Sequence, residues 1–431
     1  MYEELALILK SEVKPALGCT GPTSVSYAVS LARDAIGGTA KHVKVFVDRD
    51  TYKNSIAVGI PGTTQRGVVV AAALGAMYGD SNLGLEVLKN VPPESEKNAL
   101  KFAEESVELA INWEIQGVGL YIEAFVQTEK GEGHAIVSKT HTNVILIEAN
   151  EKIIYRNENE TLETVTSEEK APIRNYKIKD FYDFAKNVSI ESIGFLRETV
   201  KMNKKLVELG YEVNDGKGFG RTLKNFVGDK AYIKAKAYTA AASDARMAGK
   251  NFPAMSCASS GNVGITASLP LVAVAEEYEK SEEMLLRAIS LSFLLTIYIK
   301  NHIGRLSAMC ACAIAASIGV GAGTTFILDE QYETIEKTIR NIVGSIGGIL
   351  CDGAKLGCAL KLSSAVGVAI ESAYLSIEGI SIPQRDGIVD DTADETLALL
   401  GRLARKGMLE TDIVMCKEII EREKRSIASF E

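Results

Sequence analysis

Two patterns of apolar and polar positions divide this chain. Up to about residue 165, short runs alternate. Lys41–Arg49 reads KHVKVFVDR, alternates and contains valine and phenylalanine, and predicts a strand. TYKNSIAVGIPGTT predicts a continuation of that strand into a glycine-rich turn, with Thr51–Asn54 at its polar end. Leu120–Thr128 and His134–Thr140 read as two strands joined through EKGEG, and Asn143–Glu148 and Lys152–Asn159 as two more. Between them GVVVAAALGAMYG, Glu86–Asn90 and Glu94–Leu109 have helical character. The Glu-, Lys-, Ser- and Thr-rich stretch Thr161–Asn175 predicts a linker. Beyond it the spacing becomes helical, through Ile178–Asn187, Ile190–Leu209, Tyr232–Ala248, Ser268–Tyr278, Ser281–Ile299, Leu306–Ile318, Gln331–Gly347, Leu360–Ser376, Thr396–Arg405 and Glu410–Ile427. The expectation is therefore an α+β protein. A mixed α/β domain over residues 1–165 would contact substrate, and a mainly helical catalytic domain over 176–431 would follow.

Composition narrows the function classes. A net charge of −8 argues against a nucleic-acid partner, which wants a basic surface. The most apolar run, Leu285–Ile299, falls short of the roughly 20 residues a membrane span needs and carries Arg287, so no membrane role is expected. The start, MYEELALILKSEV, is an acidic amphipathic helix without a basic leader region. The cysteines number seven, without disulfide-style spacing, which suggests a reducing cytoplasm. Oligomeric state stays open, a homodimer included.

The chemistry concentrates between Leu306 and Ala365. Cys310, Cys312, Cys351 and Cys358 lie there among glycine, alanine and serine, which let a bulky inorganic group approach the backbone. On a helix Cys310 and Cys312 would point about 200° apart, so only one would face a shared centre. Gly353 and Gly357 suggest a loop that gathers Cys351 and Cys358. Cysteine is also a common small core residue, and the spacing matches no ferredoxin pattern. Ser259–Gly264, SSGNVG, offers backbone N–H groups, hydroxyls and a carboxamide suited to a carboxylate, or is an ordinary turn. Lys355, between the two later cysteines, is a carboxylate ligand or a solvated lysine, and His302 reads as a satisfied buried histidine. Cys19 follows Gly18 just before a predicted helix from Ser24 to Ile36, where a helix N-terminus lowers a thiol pKa.

EVKPALGCT at Glu12–Thr20, YKN with GIPG at Tyr52–Gly62, SGN at Ser260–Asn262, IGRLSAMCAC at Ile303–Cys312 and CDGAKLGCALK at Cys351–Lys361 together resemble the iron–sulfur L-cysteine desulfidase family. That family is distantly related to the iron–sulfur L-serine dehydratases. The resemblance covers nearly the whole chain. It implies a lyase that converts L-cysteine to pyruvate, ammonia and sulfide through a [4Fe–4S] cluster, without pyridoxal phosphate. It implies Cys310, Cys351 and Cys358 as cluster ligands, with Cys312 the alternative to Cys310, and an open iron for the leaving sulfur. It implies Cys19 as the catalytic base and Asn54, Ser260, Asn262 and Lys355 as groups that hold a small amino-acid substrate. One position departs: the family's GCTEP reads GCTGP here, so Gly21 replaces a glutamate that would face the substrate ammonium. The alternatives are an L-serine dehydratase, in which a hydroxyl leaves, and a non-catalytic cluster-binding sensor.

Overall fold

A computed structural model describes residues 1–17, 20–60, 63–113, 115, 120–158, 171–212, 218–227, 230–304 and 306–428. The strands are β1 (Pro15–Leu17), β2 (His42–Asp48), β3 (Val107–Asn112), β4 (Tyr121–Thr128), β5 (Gly131–Ser138), β6 (Val144–Ala149), β7 (Lys152–Arg156) and β8 (Pro253–Met255). The amino-terminal helices are α1 (Tyr2–Glu12), α2 (Thr20–Ile36), α3 (Arg49–Ser55), α4 (Val68–Tyr78) and α5 (Glu96–Ser106). Then follow α6 (Ile178–Asn187), α7 (Ile190–Ile193), α8 (Leu196–Tyr211), α9 (Phe219–Val227), α10 (Ala231–Met247), α11 (Gly261–Glu277) and α12 (Glu282–Ile303). Last come α13 (Ala315–Leu328), α14 (Tyr332–Ile346), α15 (Cys358–Ile377), α16 (Ala393–Arg402) and α17 (Leu409–Ala428). A six-stranded sheet, order β3-β2-β4-β5-β6-β7, precedes a helical assembly, and the fold class is α+β.

The sheet follows the alternation in the sequence. β2 runs parallel to β3 and antiparallel to β4, and every later neighbour is antiparallel. Val43, Val45, Val47, Ile122, Ala124, Val126, Ala135 and Val137 point to one face and bury against Val25, Ala28, Val29 and Ala32 of α2. Gly133 sits where α2 crosses β5: a Cβ there would lie 1.9 Å from the Ala32 carbonyl oxygen, so only glycine permits this approach. A second, larger core forms among the helices. Phe181, Phe184, Phe293, Leu294 and Phe326 lie in it, and α12 is buried along most of its length. Leu5 and Leu9 of α1 also pack there, and β1 pairs with β8, so the first residues of the chain are tied to the helices. Among the described residues the one helix long and apolar enough to cross a membrane is Cys358–Ile377, and 56% of its apolar window is buried inside the protein.

Local sequence was overridden in three informative places. Arg49–Ser55 is a helix instead of a strand end, because Asp48 caps it and accepts hydrogen bonds from the N–H groups of Asp50 (2.9 Å) and Thr51 (3.0 Å). Val107–Asn112 leaves the helix expected over Glu94–Leu109 and pairs with β2 as an edge strand. The helix expected from Leu306 starts only at Ala315. Before it the backbone bonds to another segment: Cys310 N–H donates to Ile349 (2.9 Å) and Cys351 N–H to Ala308 (2.6 Å).

On the sheet face away from α2, His134 stacks on Phe125 at 4.2 Å. Its ring nitrogens bond Glu148 (2.8 Å) and Glu123 (3.0 Å), which stitches β4, β5 and β6 together. Burial pushes the His134 pKa down, but the two carboxylates outweigh it and the net shift is upward. The imidazolium therefore contributes stability that is fully present below about pH 6.5, the unfolded histidine value, and is lost as pH rises through the higher folded value. We predict that His134→Gln destabilises the fold at pH 6 and costs distinctly less at pH 9, measured by urea denaturation at both pH values. An equal loss at both would contradict the ion-pair origin.

Candidate active site

Cys310, Cys312, Cys351 and Cys358 line one cavity of about 110 Å³ between the sheet, the helices and the loop before α15. The local chain explains how they meet. Backbone bonds between residues 308–310 and 349–351 place the two cysteine segments side by side. Gly353 has φ of +91° and lies so close to α3 that a Cβ would stand 2.2 Å from the Lys53 carbonyl oxygen. The Cys351–Cys358 stretch is thus the loop its glycines suggested, seated on α3, and Cys358 opens α15. Because residues 306–314 are not helical, Cys310 and Cys312 both face the cavity. The expectation that only one would do so fails for that reason.

The thiols sense one another. Hydrogen bonding with Cys312, burial and the neighbouring thiols Cys312 and Cys358 push Cys310 up to about 12, against a pull downward from Cys351. The bond to Cys310 and burial push Cys351 well up, and Lys53 only partly offsets this. Burial raises Cys358, with Lys355 and Lys361 pulling the other way. Cys351 Sγ donates weakly to Asn54 Oδ1 at 4.0 Å, and Asn54 is held by its Nδ2 donating to the Asp50 carbonyl (2.8 Å). Such soft donors suit iron and sulfide, and the surrounding Ala311, Gly353 and Ala354 are small. Thiols are the donor type that such a cluster takes, while among the described residues no group of three His, Cys, Asp or Glu side chains is gathered closely enough to hold a metal ion.

The turn before α11 lines the same cavity. Ala258 and Ser259 hold φ of +47° and +64°, left-handed values that L-residues adopt only under strain. Ser260 caps α11, its Oγ accepting from Val263 N–H at 3.4 Å, and sits 3.8 Å from Cys312 Sγ. Asn262 Oδ1 accepts from Arg246 Nη1 at 2.5 Å. Arg246 and Lys300 are each 3% exposed and line the cavity with Lys139, His141 and Lys361. No aspartate or glutamate lines it among the described residues.

Asn54, Ser260, Asn262, Cys310, Cys351 and Cys358 are therefore neighbours in space. Lys355 is not on that wall. It ion-pairs with Asp352 in an outer cleft against α17. Cys19 lies outside the described residues. His302 stands apart from the cavity, edge-on to Tyr298, and burial with Arg174 and Arg405 lowers it to about 4. Sequence reasoning missed Arg246 and Lys300. Both are cations in helical runs rich in alanine or aliphatic residues, AAASDARMAG and LLTIYIKNHI, and that contrast was the available signal.

Behind the thiol wall lies a buried ion network. Lys53 Nζ reaches Asp412 at 2.6 Å and Asp50 at 3.3 Å, and Arg49 reaches Asp412 at 2.9 Å and Asp50 at 3.5 Å. Burial favours neutral Lys53, yet Cys351, Asp50 and Asp412 outweigh it and keep the ammonium charged.

The family model for the serine dehydratase alpha chain matches residues 82–417. A UPF0597 protein of Clostridium tetani is 40% identical over 415 residues, which cover 96% of this chain and 97% of that one. A UPF0597 protein of Caldanaerobacter subterraneus is 40% identical over 416 residues, 96% and 98% of the two chains. One of Clostridium botulinum is 39% identical over 422 residues, 97% and 98% of the two.

The ion network yields a prediction. Asp412→Leu leaves an excess buried positive charge and is expected to cost roughly 3–5 kcal/mol. Lys53→Met combined with Asp412→Leu leaves Arg49 and Asp50 as a balanced pair and recovers most of that loss. Chemical denaturation of the three proteins checks it, and a double variant weaker than the single would refute it.

Proposed function

Because the chain belongs to the serine dehydratase alpha-chain family, we propose that it is an iron–sulfur-dependent carbon–sulfur lyase acting on L-cysteine. The products would be pyruvate, ammonia and sulfide. One observation carries this reading: Cys310, and from a second segment Cys351 and Cys358, line a single cavity that Asn54, Ser260 and Asn262 also line. These three cysteines would hold a [4Fe–4S] cluster, with Cys312 in reserve for Cys310. When bound, the cluster supplies a Lewis-acidic iron that no protein thiolate occupies.

The chain's own residues do the rest. Asn54, Ser260 and Asn262 orient the substrate's carboxylate and amine. Cys19, two positions before Gly21 at the start of α2, is the proposed base that takes the Cα proton. The electron pair of that C–H bond forms the new double bond as the C–S bond breaks and sulfide leaves with its pair. Aminoacrylate then hydrolyses to pyruvate and ammonia. The substrate-contacting part over residues 1–165 and the cluster-binding part over 176–431 belong to the same proposal, as does a cytoplasmic location. Free thiols at Cys257 and Cys416 suit a reducing compartment. L-Serine dehydration is the second reading, favoured by the family's own description.

Anaerobic reconstitution with iron and sulfide tests the proposal. We expect brown visible absorbance, sulfide release from L-cysteine, and loss of both in Cys351→Ala and in Cys358→Ala. Cys310→Ala is expected to be more damaging than Cys312→Ala. A Cys351→Ala protein that keeps full lyase activity overturns the assignment. Keto-acid release from L-serine faster than from L-cysteine replaces it with the second reading.

A further inference from the structure

We propose that Lys361 is the positioning residue of the cysteine loop: its ammonium ties the chain around Cys351 to the first turn of α15 and so keeps Cys351 and Cys358 at one site. The inference deepens the lyase reading by naming the group that holds two of its cluster ligands, and it rests on that reading only where iron is concerned.

The bonds around Cys351 assign the role. Cys358 opens α15 and Lys361 follows one turn later, so the two project from the same side of the helix, and both line the cavity. Lys361 Nζ donates to the Leu350 carbonyl at 2.7 Å and to Asp352 Oδ1 at 2.5 Å. These acceptors belong to the residues immediately before and after Cys351, so one ammonium grips the chain on both sides of that thiol. Leu350 also faces Met309 in an antiparallel bridge, flanked by the bonds from Cys310 N–H to Ile349 and from Cys351 N–H to Ala308. Lys361 therefore ties α15 to the same bridge that brings Cys310 beside Cys351.

Residues 351–357 form neither helix nor strand. Their path depends on Gly353, seated on the Lys53 carbonyl, and on Asp352, whose carboxylate takes Lys361 on one oxygen and Lys355 on the other. Asp352 and the two lysines of CDGAKLGCALK thus form a staple across the loop. The Lys361 and Asp352 side chains are 22% and 39% exposed, so their pair adds little to global stability. Its bonds act locally, on where Cys351 and Cys358 stand relative to each other. The ligands of a metal centre depend on outer partners of this kind, which hold each donor in place.

Two readouts test this without lyase turnover. The first treats the reduced, metal-free chain with dibromobimane, which fluoresces on joining two thiols, and maps the joined peptides. Lys361→Met and Asp352→Ala are expected to lose most of the product that joins Cys351 to Cys358 while keeping the parent's urea midpoint. Lys361→Arg, whose guanidinium can reach the same two acceptors, should retain it. The second readout is iron loss from the loaded chain to a chelator: Lys361→Met should weaken retention roughly 10- to 100-fold, the effect typical of outer partners of metal ligands. An undiminished Cys351–Cys358 product in Lys361→Met overturns the proposal, as does a parent chain that gives no such product. A loss shared with the urea midpoint also overturns it, because the lysine would then support the fold in general. So does Asp352→Ala keeping a product that Lys361→Met loses, because charge and not the tie would then matter. A chain that takes up no iron defeats the lyase reading separately, and the cross-linking result still decides the role of Lys361.

Discussion

A lysine ammonium shut away from water must be matched by negative charge, and Lys53 is the position where this protein meets that demand. Its side chain has no solvent exposure, and it is matched by Asp50 on its own helix and by Asp412 on α17. Asp412 also holds Arg49, so the last helix is locked to α3 and thus to the end of the sheet. Lys53 lies next to Cys351 in the electrostatics of the site, and its backbone is the floor on which Gly353 rests. One buried charge thereby couples the sheet, the carboxy-terminal helix and the thiol loop. Breaking a pair of this kind costs more than forming it gains, because a bare charge is left inside. The arrangement therefore penalises any docking of α17 that leaves Lys53 or Asp412 unmatched.

The cavity continues the same logic. Crowded thiols raise one another's pKa, and burial raises them further. Several thiolates can coexist only if positive charge is brought among them. Lys53 and Lys361 supply part of it, and a cationic inorganic group would supply more. Beside it the strained turn at Ala258–Ser259 persists because Lys300 and the pairing of β1 with β8 hold the chain around it. Strain at this turn and charge at the thiols mark the same cavity, which is where a fold concentrates costs that its core must offset.

Much of this was legible in the sequence, for physical reasons that differ by element. The strands of the sheet were visible because one face is buried and the other solvated, which writes alternation directly into β2, β4 and β5. The cysteine loop was visible through its glycines, of which Gly353 is demanded because the chain there turns against the backbone of Lys53. The helix at Arg49–Ser55 was hidden. One capping aspartate, Asp48, decided it, and that side chain is held by Tyr121 N–H (2.6 Å) from a strand 73 residues away. The placement of Cys310 beside Cys351 likewise depends on backbone bonds between distant segments, which no local periodicity records. Arg246 was hidden because its contact with Gly261 is made only in three dimensions.

The charge of the cavity also bears on which substrate it favours. At Gly21 a Cβ would lie 2.3 Å from Ser55 Oγ, so this corner is built around glycine and admits no glutamate without displacing Ser55. Lys139, Arg246, Lys300 and Lys361 line the cavity and no carboxylate does among the described lining residues, although Lys361 is paired with Asp352 just outside it. L-Serine enters as a neutral zwitterion. L-Cysteine has a thiol whose ordinary pKa is about 8.5, and losing that proton gives the bound molecule a net charge of minus one. A cationic cavity lowers that thiol pKa further and stabilises the anionic form, whereas a hydroxyl gains nothing comparable at neutral pH. A cationic lining is thus compatible with the L-cysteine proposed as substrate.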